Sequence, residues 1–357
     1  MIALALSGGG SRAIAFHLGC MRALHDRGIL QKISVISAVS GGSVIAGMYA
    51  YNNDSFEDFD NRVVAVLKKG LQISALCHLF APELLFRIVL TNLVSRPTAF
   101  AATILRKPPP FRRWASRSDA LEAALSEIVP DVDITQVAHT NLDIIFNACE
   151  LRTGTAFRFG NRRSGGWRFG ELQDNKIPVA HAVTCSAAYP LLLPAIDREY
   201  MFVNKGELSR QRVIITDGGV YDNLGITCLE PGRNEHYSLH AYNVDYIICC
   251  NAGYGQFSGD KIPFGFYSRT TSAFESIFRK VQDSGLNRLH MHKQAGKIKG
   301  FILPYLGQQD RNLPFLPPDL VQHDEIVDYP TNFAGMQEQN LKLITKRGEQ
   351  LTRFLLS

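Results

Sequence analysis

Short apolar runs that stop abruptly at glycine or serine recur along the chain. IALALS (residues 2–7), ISVIS (33–37), RVIITDGG (212–219) and VDYIICCNAG (244–253) are too short for helices, and each is closed by turn residues. That pattern predicts buried strands. After the first run the spacing changes. Ile14, Leu18, Met21, Leu24 and His25 fall near one face of a 3.6-residue repeat, and Gly28 supplies a stop, so AIAFHLGCMRALHDRGIL reads as a helix. SVIAGMYAYN (43–52) reads as a second helix following the second strand. An opening of strand, turn, helix, strand, turn, helix calls for a largely parallel sheet with helices on its faces.

Residues 53 to about 135 break this rhythm. LQISALCHLFAPELLFRIVLTNLVSRPTAFAATIL is apolar and interrupted by prolines, and the basic, proline-stiffened RKPPPFRRWASR follows it. The segment reads as a helical insertion. Beyond it, LDIIFNACEL (142–151) and TAFRFG (155–160) form a predicted strand pair, and NRRSGGWRFG reads as a polar surface loop. IPVAHAVTCSAAYP predicts a helix ending before Pro190, Thr271 to His292 a long helix, FILPY a strand, and Met336 to Leu356 a closing helix. No linker rich in Gly or Ser divides the chain, so residues 1–357 read as one domain carrying an insertion at about 53–135.

Composition narrows the function. With 46% hydrophobic and 20% charged residues, the chain can bury a sizeable core. A formal charge of +5 over 357 residues, with no dense basic stripe, argues against nucleic acid as a partner. The seven cysteines are scattered without a CxxC pair and sit mostly in apolar stretches, as expected of buried free thiols in a reducing compartment. Neither a signal peptide nor a run of 18 consecutive apolar residues is visible, so the expectation is a cytoplasmic protein.

Three turns carry candidate chemistry. Ser40, in Ala38-Val39-Ser40-Gly41-Gly42, lies between a strand and a helix with small neighbours two places either side. A strained strand-to-helix turn needs that spacing to expose a nucleophilic hydroxyl, although a serine capping a helix fits the same letters. Ser43 is the poorer candidate, because Ile45 stands where a glycine is wanted. Gly8, Gly9, Gly10, Ser11 and Arg12 follow the first strand. Consecutive glycines can turn backbone N–H groups toward a phosphate or an oxyanion, or form a plain structural turn. The stretch is neither a Walker A loop nor GxGxxG. Asp217 closes an apolar strand ahead of Gly218 and Gly219, which suits a working carboxylate or an ordinary Asp-Gly turn.

Taken in order, glycine loop, serine turn and Asp-Gly-Gly resemble the patatin-like phospholipase family. GGGSR with AIAFHLGCMRAL, His17 included, is similar to that family's oxyanion loop and first helix. SAVSGGS resembles its nucleophile elbow with Ala38 in place of the first glycine. CSAAYPLLLPA (185–195), DGGVYDNLG (217–225) with Asn223, and the C-terminal YPTNF and LKLITKRGEQLT add to the likeness, and the insertion is the least family-like part. The resemblance implies a three-layer α/β/α fold with a central, mostly parallel sheet. It implies a lipid acyl hydrolase (a phospholipase or lysophospholipase) with Ser40 as nucleophile and Asp217 as general base. Backbone N–H groups of Gly8, Gly9, Gly10 and Ser11, helped by Arg12, would bind the oxyanion, and no cofactor or metal is required.

Two other readings stay open at this point: a transacylase on the same dyad, and a non-catalytic lipid-binding module. A Ser-Asp-His hydrolase is permitted by chain order, since His240, His290, His292 and His323 follow Asp217. A lipid substrate also requires an interface. Arg112, Arg113 and Trp114 of the basic loop are the expected membrane contacts, giving peripheral membrane association. An activating protein partner is left open.

Overall fold

The computed structural model describes residues 1–255, 259 and 262–357. The chain opens with β1 (Ile2–Leu6), α1 (Gly10–Asp26), β2 (Ile33–Val39) and α2 (Gly41–Ala50), as the apolar runs predict. Four helices follow: α3 (Phe56–Lys69), α4 (Leu71–Leu79), α5 (Pro82–Ile104) and α6 (Arg117–Ser126). Then come β3 (Asp143–Glu150), β4 (Thr155–Gly160), β5 (Ser164–Gly166), β6 (Gly170–Leu172), α7 (Val179–Ala187), β7 (Ile196–Asn204), β8 (Glu207–Asp217) and the single turn α8 (Gly219–Asp222). β9 (Tyr246–Cys250), α9 (Phe266–Gln294), β10 (Gly300–Ile302) and α10 (Glu338–Leu355) complete it.

Among the described residues ten strands join one sheet in the order β10-β9-β1-β2-β3-β4-β5-β6-β7-β8. From β10 to β3 every pairing is parallel. Alternate residues of this half face opposite ways, as a period of two requires. Leu4, Leu6, Ile36, Ala38, Ile144 and Phe146 pack with α1, α2, α3 and α10. Ala3, Ala5, Val35, Ile145, Ile247 and Cys249 pack on the other side with Leu224, Ile226 and Leu289 of α9. Helices therefore cover both faces of the parallel half.

The expectation of a mostly parallel sheet does not hold for the rest. From β3 to β8 all pairings are antiparallel, and β8 returns to pair with β3, closing six strands on themselves. The stretch NRRSGGWRFG is likewise no surface loop, because Ser164, Gly165 and Gly166 are buried as β5. Closure explains this. Strands of three residues have too little apolar surface to form alone and are held by neighbours on both sides. The fully buried carboxylate of Glu150 secures the seam, accepting from Ile214 N–H at 3.1 Å and from Thr153 N–H at 2.8 Å.

One edge of β3 serves two partners. Residues Asp143 to Asn147 pair with β2, and from Ala148 to Glu150 the same edge pairs with β8. The last β2 pairing is Val39 with Asn147, and the next β3 residue, Ala148, faces Asp217. That switch brings the end of β2 to the end of β8, and so places residue 40 beside residue 217.

The insertion is helical, but its parts differ. α3 buries Phe59, Val63 and Leu67 against the body, and α6 buries Leu121 and Leu125. α5 buries only Thr91, Ser95 and Ala102. Among the described residues no single helix is long and apolar enough to cross a membrane; α4 and α5 pass that test only as a pair bent by 71°. Six cysteines are buried and free, whereas Cys77 on α4 is exposed, contrary to the expectation for that stretch.

Candidate active site

Ser40 sits at the hinge between β2 and α2 with φ 52° and ψ −119°, a backbone state that non-glycine residues rarely occupy. Its side chain makes no hydrogen bond to the first turn of α2, which removes the helix-cap reading. The hydroxyl stands by the Asp217 carboxylate instead, and its dipole favours the ionised form of that group. Close packing enforces the turn. A Cβ on Gly41 would lie 2.3 Å from the Gly10 carbonyl oxygen, and one on Gly42 would lie 2.3 Å from that of Leu6. Only glycine fits at either position, so the elbow rests directly on β1 and the glycine loop. The alanine at position 38 is accommodated, fully buried within the core.

Asp217 is 2% exposed. Its Oδ1 accepts the Gly219 N–H at 2.7 Å, and its own N–H donates to Ala188 O. Burial pushes its pKa up to about 6, against the opposing effect of the Gly219 hydrogen bond and the Ser40 hydroxyl. A carboxylate so placed is a better base than one in water. Phe278 of α9 lies 3.1 Å from where a Gly219 Cβ would project, and Phe274 continues the aromatic row toward Tyr189.

The glycine loop runs alongside. A Cβ on Gly8 would come within 3.2 Å of Ser40 Cβ and 2.3 Å of Asn223 Oδ1, so the loop, the elbow and the aspartate turn converge there. The expected oxyanion donors nevertheless divide. The Gly8 N–H is spent on Asn223 O at 3.1 Å, and the Ser11 N–H on Asn332 O at 2.7 Å. Gly9 (φ 145°) and Gly10 (φ 60°) begin α1, and Gly41 begins α2, so their amides lie at helix starts, where no intrahelical acceptor exists. These three amides are therefore candidates for binding an oxyanion. Arg12 is buried, its Nε donating to Ala252 O and its Nη1 to Tyr329 O, both at 3.1 Å. Burial lowers its pKa to about 9, so it carries its charge at neutral pH. Its Nη2 lies 3.4 Å from the position of a Gly9 Cβ, which aims the guanidinium at the loop.

Sequence reasoning gave Ser186 no role, yet it ties the parts together. Its hydroxyl donates to Asn147 O at 2.6 Å and accepts the Ser40 N–H at 3.1 Å, and it also meets Ser43 Oγ at 2.8 Å. Its carbonyl accepts from Gly218 N–H. A buried serine among alanines gives no local signal of this. Ser186→Ala leaves the Ser40 N–H without an acceptor, and a loss of about 1–3 kcal/mol is expected in urea unfolding. Ser43, held in this network, is not a second nucleophile.

No histidine among the described residues hydrogen-bonds Ser40 or Asp217. His17 bonds Ser7 O at 2.9 Å, His240 bonds Arg163 O, and His290 packs on Phe301. The Ser-Asp-His reading therefore falls. In the basic loop Arg113 is exposed, with its N–H on Asp197 Oδ2 at 2.8 Å, while Arg112 and Trp114 are half-buried. Arg212 clamps this loop through Pro109 O and Phe111 O, and Trp114 packs against Phe111.

A hydroxyl beside a lone carboxylate, on a glycine-supported elbow next to a glycine loop, matches a known pattern of residues. The sequence profile described as patatin-like phospholipase covers residues 4–229. The chain belongs to that family. No curated protein matches it. Among solved structures it is similar to human GIVD cytosolic phospholipase A2, at a TM-score of 0.57 and 12% identity over 99% of this chain. It spans 58% of that protein's length. VipD from Legionella pneumophila aligns with 14% identity over 99% of this chain and 66% of its own, at a TM-score of 0.42.

Proposed function

We propose that the protein is a serine esterase of the phospholipase A or lysophospholipase type, working through an acyl-enzyme on Ser40. The observation that carries this is the placement of Ser40, on a strained elbow, beside Asp217 by the switch along β3, with a buried carboxylate whose pKa is raised to about 6. Asp217 accepts the Ser40 proton as Oγ attacks the ester carbonyl. The amides of Gly9, Gly10 and Gly41 and the charge of Arg12 oppose the negative charge that develops on the carbonyl oxygen. The alcohol leaves with that proton. Water then attacks the acyl-enzyme and passes a proton to Asp217; the bond from Ser40 Oγ to the acyl carbon breaks, Oγ takes that proton back, and a fatty acid is released. An alcohol in place of water would give transacylation on the same dyad. Phe274 and Phe278 beside Asp217 offer an apolar wall for the acyl chain. The exposed Arg113 and its neighbour Arg112 are the proposed contacts with lipid phosphates, with the half-buried Trp114 beside them as the proposed aromatic contact.

The test is hydrolysis of mixed phospholipid vesicles with released fatty acids identified by mass spectrometry, with a competing alcohol present in a parallel reaction. Fatty acid release by wild type that disappears in Ser40→Ala supports the reading. Ester products that dominate whenever the alcohol is present reassign the protein as a transacylase. A wild type that takes up no serine-directed phosphonate is a binding module.

A further inference from the structure

Helix α5 is amphipathic the wrong way round. Its buried residues are Thr91, Ser95 and Ala102, whereas Phe86, Leu93 and Phe100 are 67%, 68% and 71% exposed, with Val89, Leu90 and Ile104 also exposed. At 3.6 residues per turn these six form one stripe, directly opposite the small buried residues. A helix facing only water carries the reverse arrangement. The hydroxyls of Ser95, Thr98 and Thr103 are satisfied within the helix by the carbonyls of Thr91, Val94 and Ala99, at 2.6 to 2.9 Å. Exposed Arg87 and Arg96 stand on either flank of the stripe. From residue 71 to residue 118 the chain carries seven basic residues and one acid, Glu83.

We infer that α5 is a membrane-docking helix that lies in the headgroup layer of an anionic bilayer with its Phe86–Leu93–Phe100 stripe in the acyl region. The charge imbalance selects the occupant, since a stripe flanked by arginines complements lipid phosphate. The helix is about 35 Å long, enough to lie along a surface. Its attachment links docking to the dyad. Residues 332–336 run between the insertion and the glycine loop, accepting from Ser11 N–H and Ser11 Oγ on one side and from Gln72 N–H on the other. A bilayer that holds α5 is thereby linked to the Ser40 elbow through α4, residues 332–334 and the glycine loop. This inference rests on the lipid-hydrolase reading for its purpose, though its test does not.

The experiment uses the full chain as Ser40→Ala, so that turnover plays no part. Cys77→Ser removes the exposed thiol, the other six cysteines being buried, and Leu93→Cys carries an NBD fluorophore. On phosphatidylglycerol/phosphatidylcholine vesicles the probe is expected to shift to the blue and to be quenched by acyl-brominated lipid, less so as salt is raised. Separately, Phe86→Ser with Leu93→Ser and Phe100→Ser should lower the vesicle partition coefficient by roughly a hundredfold, with near-UV circular dichroism confirming the fold. An unshifted probe overturns the inference even if the triple variant misfolds. So does a shift without lipid that disappears on dilution as a dimer dissociates, which makes the occupant a second copy. A wild type that hydrolyses no ester, where the labelled Ser40→Ala chain inserts, refutes the hydrolase reading alone. One that cleaves a soluble ester but does not insert refutes the docking alone.

Discussion

Ser40→Ala and Asp217→Asn are each expected to lower ester hydrolysis by about 10³-fold or more, and the double variant by little beyond the worse single one. The two side chains act as one unit. Without the carboxylate the serine has no proton acceptor, since no histidine among the described residues hydrogen-bonds it, and without the hydroxyl the carboxylate has nothing to activate. What remains should be the contribution of the loop amides and substrate binding. Steady-state kinetics on a soluble chromogenic ester read this directly. Losses that simply multiply in the double variant would mean that the two residues act separately.

The second large effect is on stability, and it has the opposite sign. Asp217 titrates near pH 6 in the folded protein, above about 3.8 when unfolded, because burial disfavours its charge. A raised carboxylate pKa means the folded chain holds the proton more tightly. The penalty for ionising it is fully present above pH 6 and vanishes below the unfolded value. Asp217→Asn, whose Oδ1 can still accept from Gly219, is therefore expected to stabilise the protein by ~2–3 kcal/mol at pH 8. The gain should shrink toward zero by about pH 4. Urea unfolding at the two pH values measures it. The same ionisation sets the acid limb of activity in the wild type, with kcat/KM falling as pH drops through about 6. A limb near pH 4 would place Asp217 in a wetter setting than its burial implies.

The parallel half of the fold is legible because each of its central strands is buried on both faces and so reads as a continuous apolar run closed by glycine. The antiparallel half is not. β7 and the start of β8, IDREYMFVN and ELSRQRV, mix charge and apolar residues because much of their surface stays exposed. β5 and β6 exist because the ring closes, a fact no three-residue window contains. The candidate site follows the same division. Ser40 and Asp217 stand out, since a hydroxyl and a carboxylate ending apolar runs before glycines are locally odd. Which amides remain available was hidden, because Gly8 and Ser11 lose theirs to Asn223 and Asn332, residues distant in sequence. Ser186 was hidden for the same reason. In α5 the apolar content was plain, but only the fold reveals that its small residues face inward and its Phe and Leu outward.

The central claim is that Ser40 is a nucleophile activated by Asp217. The most direct measurement is mass-spectrometric peptide mapping after exposure to a long-chain fluorophosphonate, in wild type, Ser40→Ala and Asp217→Asn. One adduct per chain is expected on the peptide containing Ser40, with none in Ser40→Ala and a strongly slowed rate in Asp217→Asn. Adduct formation on another serine, or labelling of Asp217→Asn at the wild-type rate, would contradict it.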